Sequence, residues 1–123
     1  MSKVAVIGAT TWGNTLGRLL ADKGVMVNVW ARTEAKAKEL RQEHEGLLSK
    51  DVSADCLSFT GSIDEALHSA EFVICAVPAQ RMRQNLRLGS PHLDSSVILV
   101  SAAKGLEAET GKRMSEVIAE EVA

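Results

Sequence analysis

Two glycines near the start of the chain, with a threonine between them, have the spacing of a phosphate-binding turn. Gly8 ends a short apolar run, and Gly13 follows it, with Thr10 between the two. Beyond them Leu16 and Leu20 recur at helical spacing, so the pattern changes from a strand to a helix across the turn. A helix that begins there has unpaired backbone N–H groups at its positive end. The turn therefore predicts a site for a pyrophosphate.

The spacing meets the dinucleotide-binding fingerprint G-x-G-x-x-G at its first and third glycines, Gly8 and Gly13. Thr10 stands where the fingerprint has its middle glycine, which lets the backbone approach the pyrophosphate closely. A side chain there either displaces the ligand slightly or makes its hydroxyl a donor to a phosphate, and we favour the second. The alternative is an ordinary corner between a strand and a helix, built from small residues.

Arg32 and Thr33 follow the second predicted strand, near the position where the fingerprint places the residue that meets the adenosine ribose. A carboxylate there favours NAD, because it bonds the ribose 2′-hydroxyl and repels a 2′-phosphate. Arg32 instead supplies a planar cation and Thr33 a hydroxyl, which suit the 2′-phosphate of NADP. The alternative is that Arg32 is a solvated charge and that Thr33 caps the next helix.

Pro78 and Lys104 follow two further strands that are predicted to be buried. Pro78 ends the apolar run 72–77, and Lys104 comes soon after the run 96–100. In an open parallel sheet, ligands bind beyond the carboxyl ends of the strands, so both residues are expected at the same crevice as Gly8. There the ammonium of Lys104 could hold a substrate phosphate or polarise a carbonyl oxygen, and a structural salt bridge is the alternative.

Alternating strands and helices are predicted to position these residues. Strands are predicted at 4–7, 25–30, 56–59, 72–77 and 96–100. Helices are predicted before Gly24, over 34–48, from a capping box at Ser62 and Glu65 to about His68, around Met82 and Leu86, and over 114–122, with a loop at 50–54. We therefore predict an α/β fold, Rossmann-like and doubly wound, with a mainly parallel sheet and helices on both faces. Residues 1–123 are expected to form one dinucleotide-binding domain.

Composition limits the partners of this domain. The chain has 123 residues, of which 46% are hydrophobic, enough for one core. Its 14 basic and 16 acidic side chains give a net charge of -2 without long blocks of one sign, which argues against a nucleic-acid partner. Apolar runs are far shorter than the roughly 20 residues of a membrane span, and the N-terminus lacks the pattern of a signal region. We expect a soluble, cytoplasmic protein that binds neither nucleic acid nor membrane.

The cysteines and histidines of the chain are expected to be structural. Cys56 and Cys75 do not form a C-x-x-C motif and are predicted to be small buried side chains. The three histidines are expected at the surface; they are His44, His68 and His92. Metal-ligand spacing is absent from the sequence, so no metal site is predicted.

Three arginines lie close together around the predicted short helix of Met82 and Leu86. They are Arg81, Arg83 and Arg87. Such a cluster suggests a phosphate site, but a solvated helix face is the preferred interpretation.

The chain resembles, nearly end to end, the N-terminal domain of the bacterial NAD(P)-dependent glycerol-3-phosphate dehydrogenases. The glycine turn alone would fit many dehydrogenases, whereas its tryptophan and the lysine segment together are more particular. The matching segments are Val6-Ile7-Gly8-Ala9, Thr11-Trp12-Gly13, Trp30-Ala31-Arg32, Val77-Pro78-Ala79-Gln80 and Ser101-Ala102-Ala103-Lys104-Gly105-Leu106-Glu107. The chain departs from the family at Thr10, at Thr11 where serine is frequent, and around residues 45–55.

This resemblance implies reversible hydride transfer between NAD(P)H and dihydroxyacetone phosphate, which gives sn-glycerol 3-phosphate for phospholipid synthesis. It implies that Thr11 and Trp12 contact the cofactor phosphates and ring region, and that Arg32 contacts the adenosine phosphate. It implies that Lys104 contacts both the cofactor and the substrate phosphate. Between the two cofactors, NADP is favoured over NAD by the argument on Arg32.

The resemblance also implies that the general acid and base is a lysine of a helical second domain, which these 123 residues do not include. No catalytic residue is therefore assigned here, and the chain alone is expected to bind NADP(H) without turning over substrate. Without a second domain, an unpaired sheet edge and apolar surface are expected to favour a homodimer.

Two other functions remain open at this stage. The first is the nucleotide-binding domain of a related enzyme, such as a ketopantoate reductase or a sugar-nucleotide dehydrogenase, against which the Lys104 segment argues. The second is a non-catalytic nucleotide-sensing or interaction module, which would agree with the missing middle glycine.

Overall fold

The computed structural model describes residues 3–47 and 56–122, and in this part of the chain five strands form one parallel sheet. The strands lie in the order β3-β2-β1-β4-β5. Their bounds are Lys3–Ile7 for β1, Met26–Trp30 for β2, Leu57–Thr60 for β3, Phe72–Cys75 for β4 and Ile98–Ser101 for β5. The predicted α/β, doubly wound architecture is confirmed. The loop predicted at 50–54 lies outside the described residues.

Helices cover both faces of this sheet. Their bounds are Thr11–Asp22 for α1, Glu34–Leu47 for α2, Ile63–Leu67 for α3, Met82–Gly89 for α4 and Met114–Glu121 for α5, with 3-10 turns at Ala79–Arg81 and Ser90–His92. Alternate residues of β1 point to opposite faces. Val4 and Val6 pack with residues of α1 and α2, whereas Ala5 and Ile7 pack with residues of α3, α4 and α5. The sheet thus has one hydrophobic core on each side.

The fourth strand ends before the predicted residue 77. The N–H of Ala76 still donates to the carbonyl oxygen of Ile7, at 2.9 Å. At Gly8 the neighbouring strand β1 turns away, so the chain beyond Ala76 has no strand to pair with. This early end leaves Val77 and Pro78 to form a wall beside the turn after β1.

The fifth strand was predicted to be buried, but two of its apolar side chains are exposed. Ile98 is 54% exposed and Val100 is 41% exposed, because β5 pairs with β4 alone and lies at the edge of the described sheet. An apolar run predicts a strand equally well at the centre or at the edge of a sheet. The prediction was therefore right about the strand and wrong about its burial.

One of the three histidines is not at the surface. His44 is 6% exposed, and its ring lies edge-on to that of Phe59 with the centroids 5.7 Å apart. Its helical spacing from Ala37 and Leu40, both buried on the same side of α2, was the available signal. His68 and His92 are exposed as predicted.

Both cysteines are free and buried, as predicted. Burial raises the pKa of the Cys75 thiol to about 11. Within residues 3–47 and 56–122, no His, Cys, Asp and Glu side chains group together as a metal site would require. None of the described helices has the length and apolar character that crossing a membrane would need.

The predicted capping box at the start of α3 is only half formed. The hydroxyl of Ser62 accepts from the backbone N–H of Glu65, at 3.3 Å, and so caps the helix. The carboxylate of Glu65 instead accepts from the hydroxyl of Thr60, at 3.2 Å, and that hydroxyl accepts from the N–H of Ser62, at 3.1 Å. Thr60, the last residue of β3, therefore stands between Glu65 and the N–H of Ser62, which would bond each other directly in a complete capping box.

Candidate functional site

The turn between β1 and α1 requires glycine at both positions that match the fingerprint. Gly8 has φ +112°, and a Cβ there would lie 2.9 Å from Cγ1 of Val77. A Cβ on Gly13 would lie 2.1 Å from the carbonyl oxygen of Gly8. The first glycine therefore allows the turn, and the second allows helix α1 to pack directly against it.

Thr10 caps helix α1 and ties the turn to the end of β4. Its hydroxyl accepts from the N–H of Gly13, at 3.0 Å, and donates to the carbonyl oxygen of Ala76, at 3.0 Å. Since a hydroxyl has one proton, that proton is already used, and the expectation that it serves a phosphate is corrected. Thr10 has φ −84° and ψ 169°, an extended conformation that needs no glycine.

The start of α1 still offers donors to an anion. The N–H groups of Gly13 and Asn14 are satisfied by the side chain and the carbonyl oxygen of Thr10. The N–H groups of Thr11 and Trp12 precede the first intrahelical bonds and lie at the positive end of the helix dipole. No acidic side chain occupies the first turn of α1.

A cavity of about 330 Å³ lies beside this turn, and we call it the Arg32 cavity. Three cationic side chains line it: Arg32, Lys36 and Arg81. The other lining residues are Gly8, Ala9, Thr10, Trp30, Val77, Pro78 and Asn85. The cavity thus places a positive rim next to the phosphate-binding turn.

Only one of these three cations was predicted for the site. Lys36 lies in the first turn of α2, and Arg81 belongs to the 3-10 turn that follows Pro78. The signal for Arg81 was its closeness in sequence to the carboxyl end of β4, where ligands bind in parallel sheets. Arg81 is exposed, as the interpretation of a solvated face predicts, and it also lines the Arg32 cavity.

A second cavity, of about 640 Å³, lies on the other side of Pro78, and we call it the Lys104 cavity. Trp12 and Lys104 line it, together with Thr10, Ala76, Val77, Pro78, Ala102 and Ala103. Trp12 is 53% exposed, so its ring is accessible from this side. Because Thr10, Val77 and Pro78 line both cavities, the two form one crevice over the carboxyl ends of β1 and β4.

Three predicted residues lie beside the crevice rather than in its walls. The hydroxyl of Thr33 accepts from the N–H of Lys36, at 3.1 Å, so Thr33 caps α2. Thr11 is exposed at the first position of α1. Neither of these residues, nor Gly13, which is buried in the first turn of α1, is among the described residues that line the two cavities.

The segment that carries Lys104 is fixed to the rest of the domain by side chains of residues 80–83. The amide of Gln80 donates to the carbonyl oxygen of Leu106, at 2.9 Å, and accepts from the N–H of Ala108, at 2.7 Å. Between these two residues the carboxylate of Glu107 forms a two-pronged ion pair with Arg83, at 2.9 and 3.0 Å.

Glu107 and Arg83 are largely shielded from solvent. Their side chains are 9% and 20% exposed, and the hydroxyl of Thr110 also donates to Glu107, at 2.6 Å. The bonds from Arg83, followed by that from Thr110, lower the pKa of Glu107 to about 2. Of the three clustered arginines, Arg81 and Arg87 have the predicted exposure, whereas Arg83 is half-buried. The side chain of Arg87 is 67% exposed and pairs with Glu121.

Comparison with known proteins places this chain in a sequence family. The family model described as NAD-dependent glycerol-3-phosphate dehydrogenase N-terminus matches residues 3–123. A glycerol-3-phosphate dehydrogenase [NAD(P)+] of Dehalococcoides mccartyi is 49% identical over 125 residues, which cover 99% of this chain and 35% of that protein. One of Corynebacterium urealyticum is 40% identical, with 98% of this chain and 37% of that protein covered. The chain thus spans about a third of the length of these curated relatives.

Solved structures agree with this assignment at the level of the fold. Glycerol-3-phosphate dehydrogenase from Coxiella burnetii superposes with a TM-score of 0.84 at 23% identity, over 98% of this chain and 38% of that one. The enzyme from Saccharomyces cerevisiae gives 0.79 at 25% identity, over 98% and 39%. A UDP-glucose dehydrogenase from Pyrobaculum islandicum gives 0.74 at 16% identity, over 99% and 33%, and so shares the fold alone. The resemblance inferred from the motifs is confirmed by the family match.

Proposed function

Since this chain belongs to the family of N-terminal domains of NAD-dependent glycerol-3-phosphate dehydrogenases, we propose that it is the NAD(P)-binding part of an enzyme that interconverts dihydroxyacetone phosphate and sn-glycerol 3-phosphate. The observation that carries the proposal is the crevice over β1 and β4, in which a glycine turn, a positive rim and a lysine lie side by side. NAD(P)H supplies the hydride when it is bound.

The turn after β1 fits the pyrophosphate of such a cofactor. A Cβ on Gly8 would press against Val77 and the backbone of Ala76, so glycine is required for the turn that lines the Arg32 cavity. The N–H groups of Thr11 and Trp12 can donate to phosphate oxygens, and the helix dipole adds to the attraction. Thr10 contributes by holding the turn against Ala76 rather than by donating to the ligand.

The Arg32 cavity fits the adenosine end, with a preference for NADP. Arg32 can bind a 2′-phosphate through two N–H groups, while Lys36 and Arg81 add positive charge at the same cavity. A contact from Thr33 would need its hydroxyl to serve the ligand in addition to the N–H of Lys36. Pro78 forms the boundary between this cavity and the next.

The Lys104 cavity fits the nicotinamide end and the substrate. Trp12 offers an exposed ring for packing against the cofactor, and Lys104 offers an ammonium to the phosphate of the substrate. The general acid and base is proposed to lie outside these 123 residues. On that proposal the chain binds the cofactor and does not turn over substrate by itself.

We further propose that the enzyme is a cytoplasmic homodimer that serves phospholipid synthesis. Glycerol 3-phosphate points to a role in phospholipid synthesis. Two free, buried thiols, Cys56 and Cys75, suit the reducing conditions of the cytoplasm. The exposed Ile98 and Val100 on edge strand β5 support self-association to a homodimer.

The first experiment is a fluorescence titration of the 123-residue chain with NADPH and with NADH. We expect saturable binding of both, with NADPH preferred, and the Arg32→Ala variant should lose that preference by on the order of tenfold. Arg18→Ala, which removes an exposed arginine of α1, is the matched control. Absence of binding to either cofactor would refute the proposal and favour a non-catalytic interaction module.

A further inference from the structure

Lys104 has little in its own surroundings to hold it in place. It is exposed, and so are its neighbours Gly105 and Leu106. Gly105 has φ +98°, and a Cβ there would meet nothing within 4 Å. A lysine on such a segment binds weakly unless the backbone is fixed, because ordering the segment opposes binding.

The fixing contacts come from the chain just after β4. The side-chain amide of Gln80 holds the main chain on both sides of Glu107, through Leu106 and Ala108. Arg83 holds the side chain of Glu107 through two nearly equal bonds. Gln80 bonds the backbone and Arg83 bonds a planar carboxylate, so together they restrict both the position and the rotation of the segment.

The same short stretch of chain also forms part of the crevice. Pro78 lines both cavities, and Gln80 follows it in the 3-10 turn that leads into α4. We call Gln80 and the Arg83–Glu107 pair the clamp. The clamp therefore connects the wall of the crevice directly to the segment that carries Lys104. The segment is closed on its other side by the bond from the N–H of Glu107 to the carbonyl oxygen of Lys112, at 2.9 Å.

We propose that Gln80 and the Arg83–Glu107 pair are positioning residues, which hold the Lys104 segment in a binding-ready position over the crevice. This inference rests on the proposed function for the role of Lys104, but not for the existence of the clamp. None of the three side chains needs to touch the ligand. Their effect on binding passes through Lys104.

Gln80→Ala is the informative variant, because Gln80 is exposed and its loss should leave both cores intact. Amide hydrogen exchange of residues 102–108 should become faster by about tenfold or more, while exchange in β1 and β4 stays unchanged. Gln84→Ala removes an exposed glutamine one helical turn further on and should change neither. Unchanged exchange in residues 102–108 of Gln80→Ala would refute the proposal that Gln80 holds this segment in place, whether or not the chain binds a cofactor.

NADPH affinity then tests whether the clamp acts through Lys104. Gln80→Ala and Lys104→Ala should each weaken binding, and the double variant should bind no more weakly than Lys104→Ala alone. Losses that add in the double variant would contradict positioning through Lys104. Arg83→Lys should also weaken NADPH binding, because an ammonium keeps the charge but lacks the two-pronged geometry. Full affinity in Arg83→Lys would show that charge alone suffices and would refute the geometric role. If the unaltered chain does not bind NADPH, the proposed function and the role in binding fail together, and the exchange result still decides the clamp.

Discussion

The hydroxyl of Thr10 donates to the carbonyl oxygen of Ala76 across 3.0 Å, and so joins the turn after β1 to the end of β4. These are the two strands between which the connections of the sheet reverse direction, the usual place for a ligand in such folds. A residue that departs from the glycine fingerprint has therefore acquired a structural role at the site itself.

Removal of this hydroxyl should destabilise the domain. Thr10→Ala loses the cap of α1 and leaves Ala76 without its donor, so the free energy of unfolding should fall by about 1 to 2 kcal/mol. Thr10→Ser keeps the hydroxyl and should remain close to the parent protein. Urea unfolding at neutral pH measures both. Equal stability of the alanine and serine variants would contradict the role of the hydroxyl.

Two glycines of α1 should respond differently to the same substitution. In Gly13→Ala the new Cβ would lie 2.1 Å from a main-chain oxygen, which forces the helix away from the turn, and unfolding should become easier by more than about 2 kcal/mol. In Gly17→Ala the nearest atom is a side-chain methyl of Val29 at 3.3 Å, and the gain in helix propensity, about 1 kcal/mol, offsets this contact. Thermal unfolding of the pair should therefore show a large loss for Gly13→Ala and little change for Gly17→Ala.

The ion pair of Glu107 should make stability depend on pH in the acid range. Its pKa is about 2 in the folded protein, below the ordinary value of 4.5, so the unfolded chain takes up the proton first as the pH falls. The stabilisation from this carboxylate is therefore complete above about pH 4.5 and is lost as the pH falls towards 2. In Glu107→Gln, the decline of the unfolding free energy over this range should be shallower. An identical decline in both proteins would contradict the assignment.

Lys36 and Arg81, which line the Arg32 cavity beside Arg32, should contribute to the preference for NADP. Lys36→Ala and Arg81→Ala should each weaken NADPH binding by roughly threefold to tenfold and weaken NADH binding less, because a charge at the cavity rim attracts the nearest phosphate most strongly and salt screens its effect on more distant ones. Lys38→Ala, from the exposed side of α2, is the control for loss of charge. Equal losses for both cofactors would place these two cations elsewhere along the ligand.

Self-association through the edge strand should be weakened by a charge on β5. Ile98→Lys places an ammonium at a position that is 54% exposed and should separate a dimer without lowering the unfolding free energy of the monomer. Sedimentation velocity over a range of concentrations measures the change. Met26→Lys, at an exposed residue of β2, is the control.

The sequence predicted the order of strands and helices because each is encoded locally, by apolar periodicity and by glycine at the turns. It also located Gly8, Arg32 and Lys104 at one end of the sheet, because parallel strands carry their following loops to the same edge. Strand bounds were less certain, since a strand such as β4 ends where its neighbour turns away rather than where the apolar run ends.

The contacts between distant segments could not be predicted in this way. Arg83 and Glu107 meet across a separation of 24 residues, and nothing near either one indicates the other. The same holds for Gln80 and Leu106, which are 26 residues apart. His44 is buried because its spacing from Leu40 puts it on the core side of α2, whereas its residue type alone predicts the surface.

The alkylation rate of the buried Cys75 thiol can report how often the sheet opens. Cys75 pairs with Ile7 on one side and Ser101 on the other, and its raised pKa keeps the reactive thiolate scarce. In a Cys56→Ser background, the rate of alkylation therefore counts the events in which the central strands separate. A ligand that binds across the ends of β1 and β4 must lower the rate of alkylation of Cys75 as its occupancy rises. The affinity of the ligand can therefore be measured without any signal from the ligand itself.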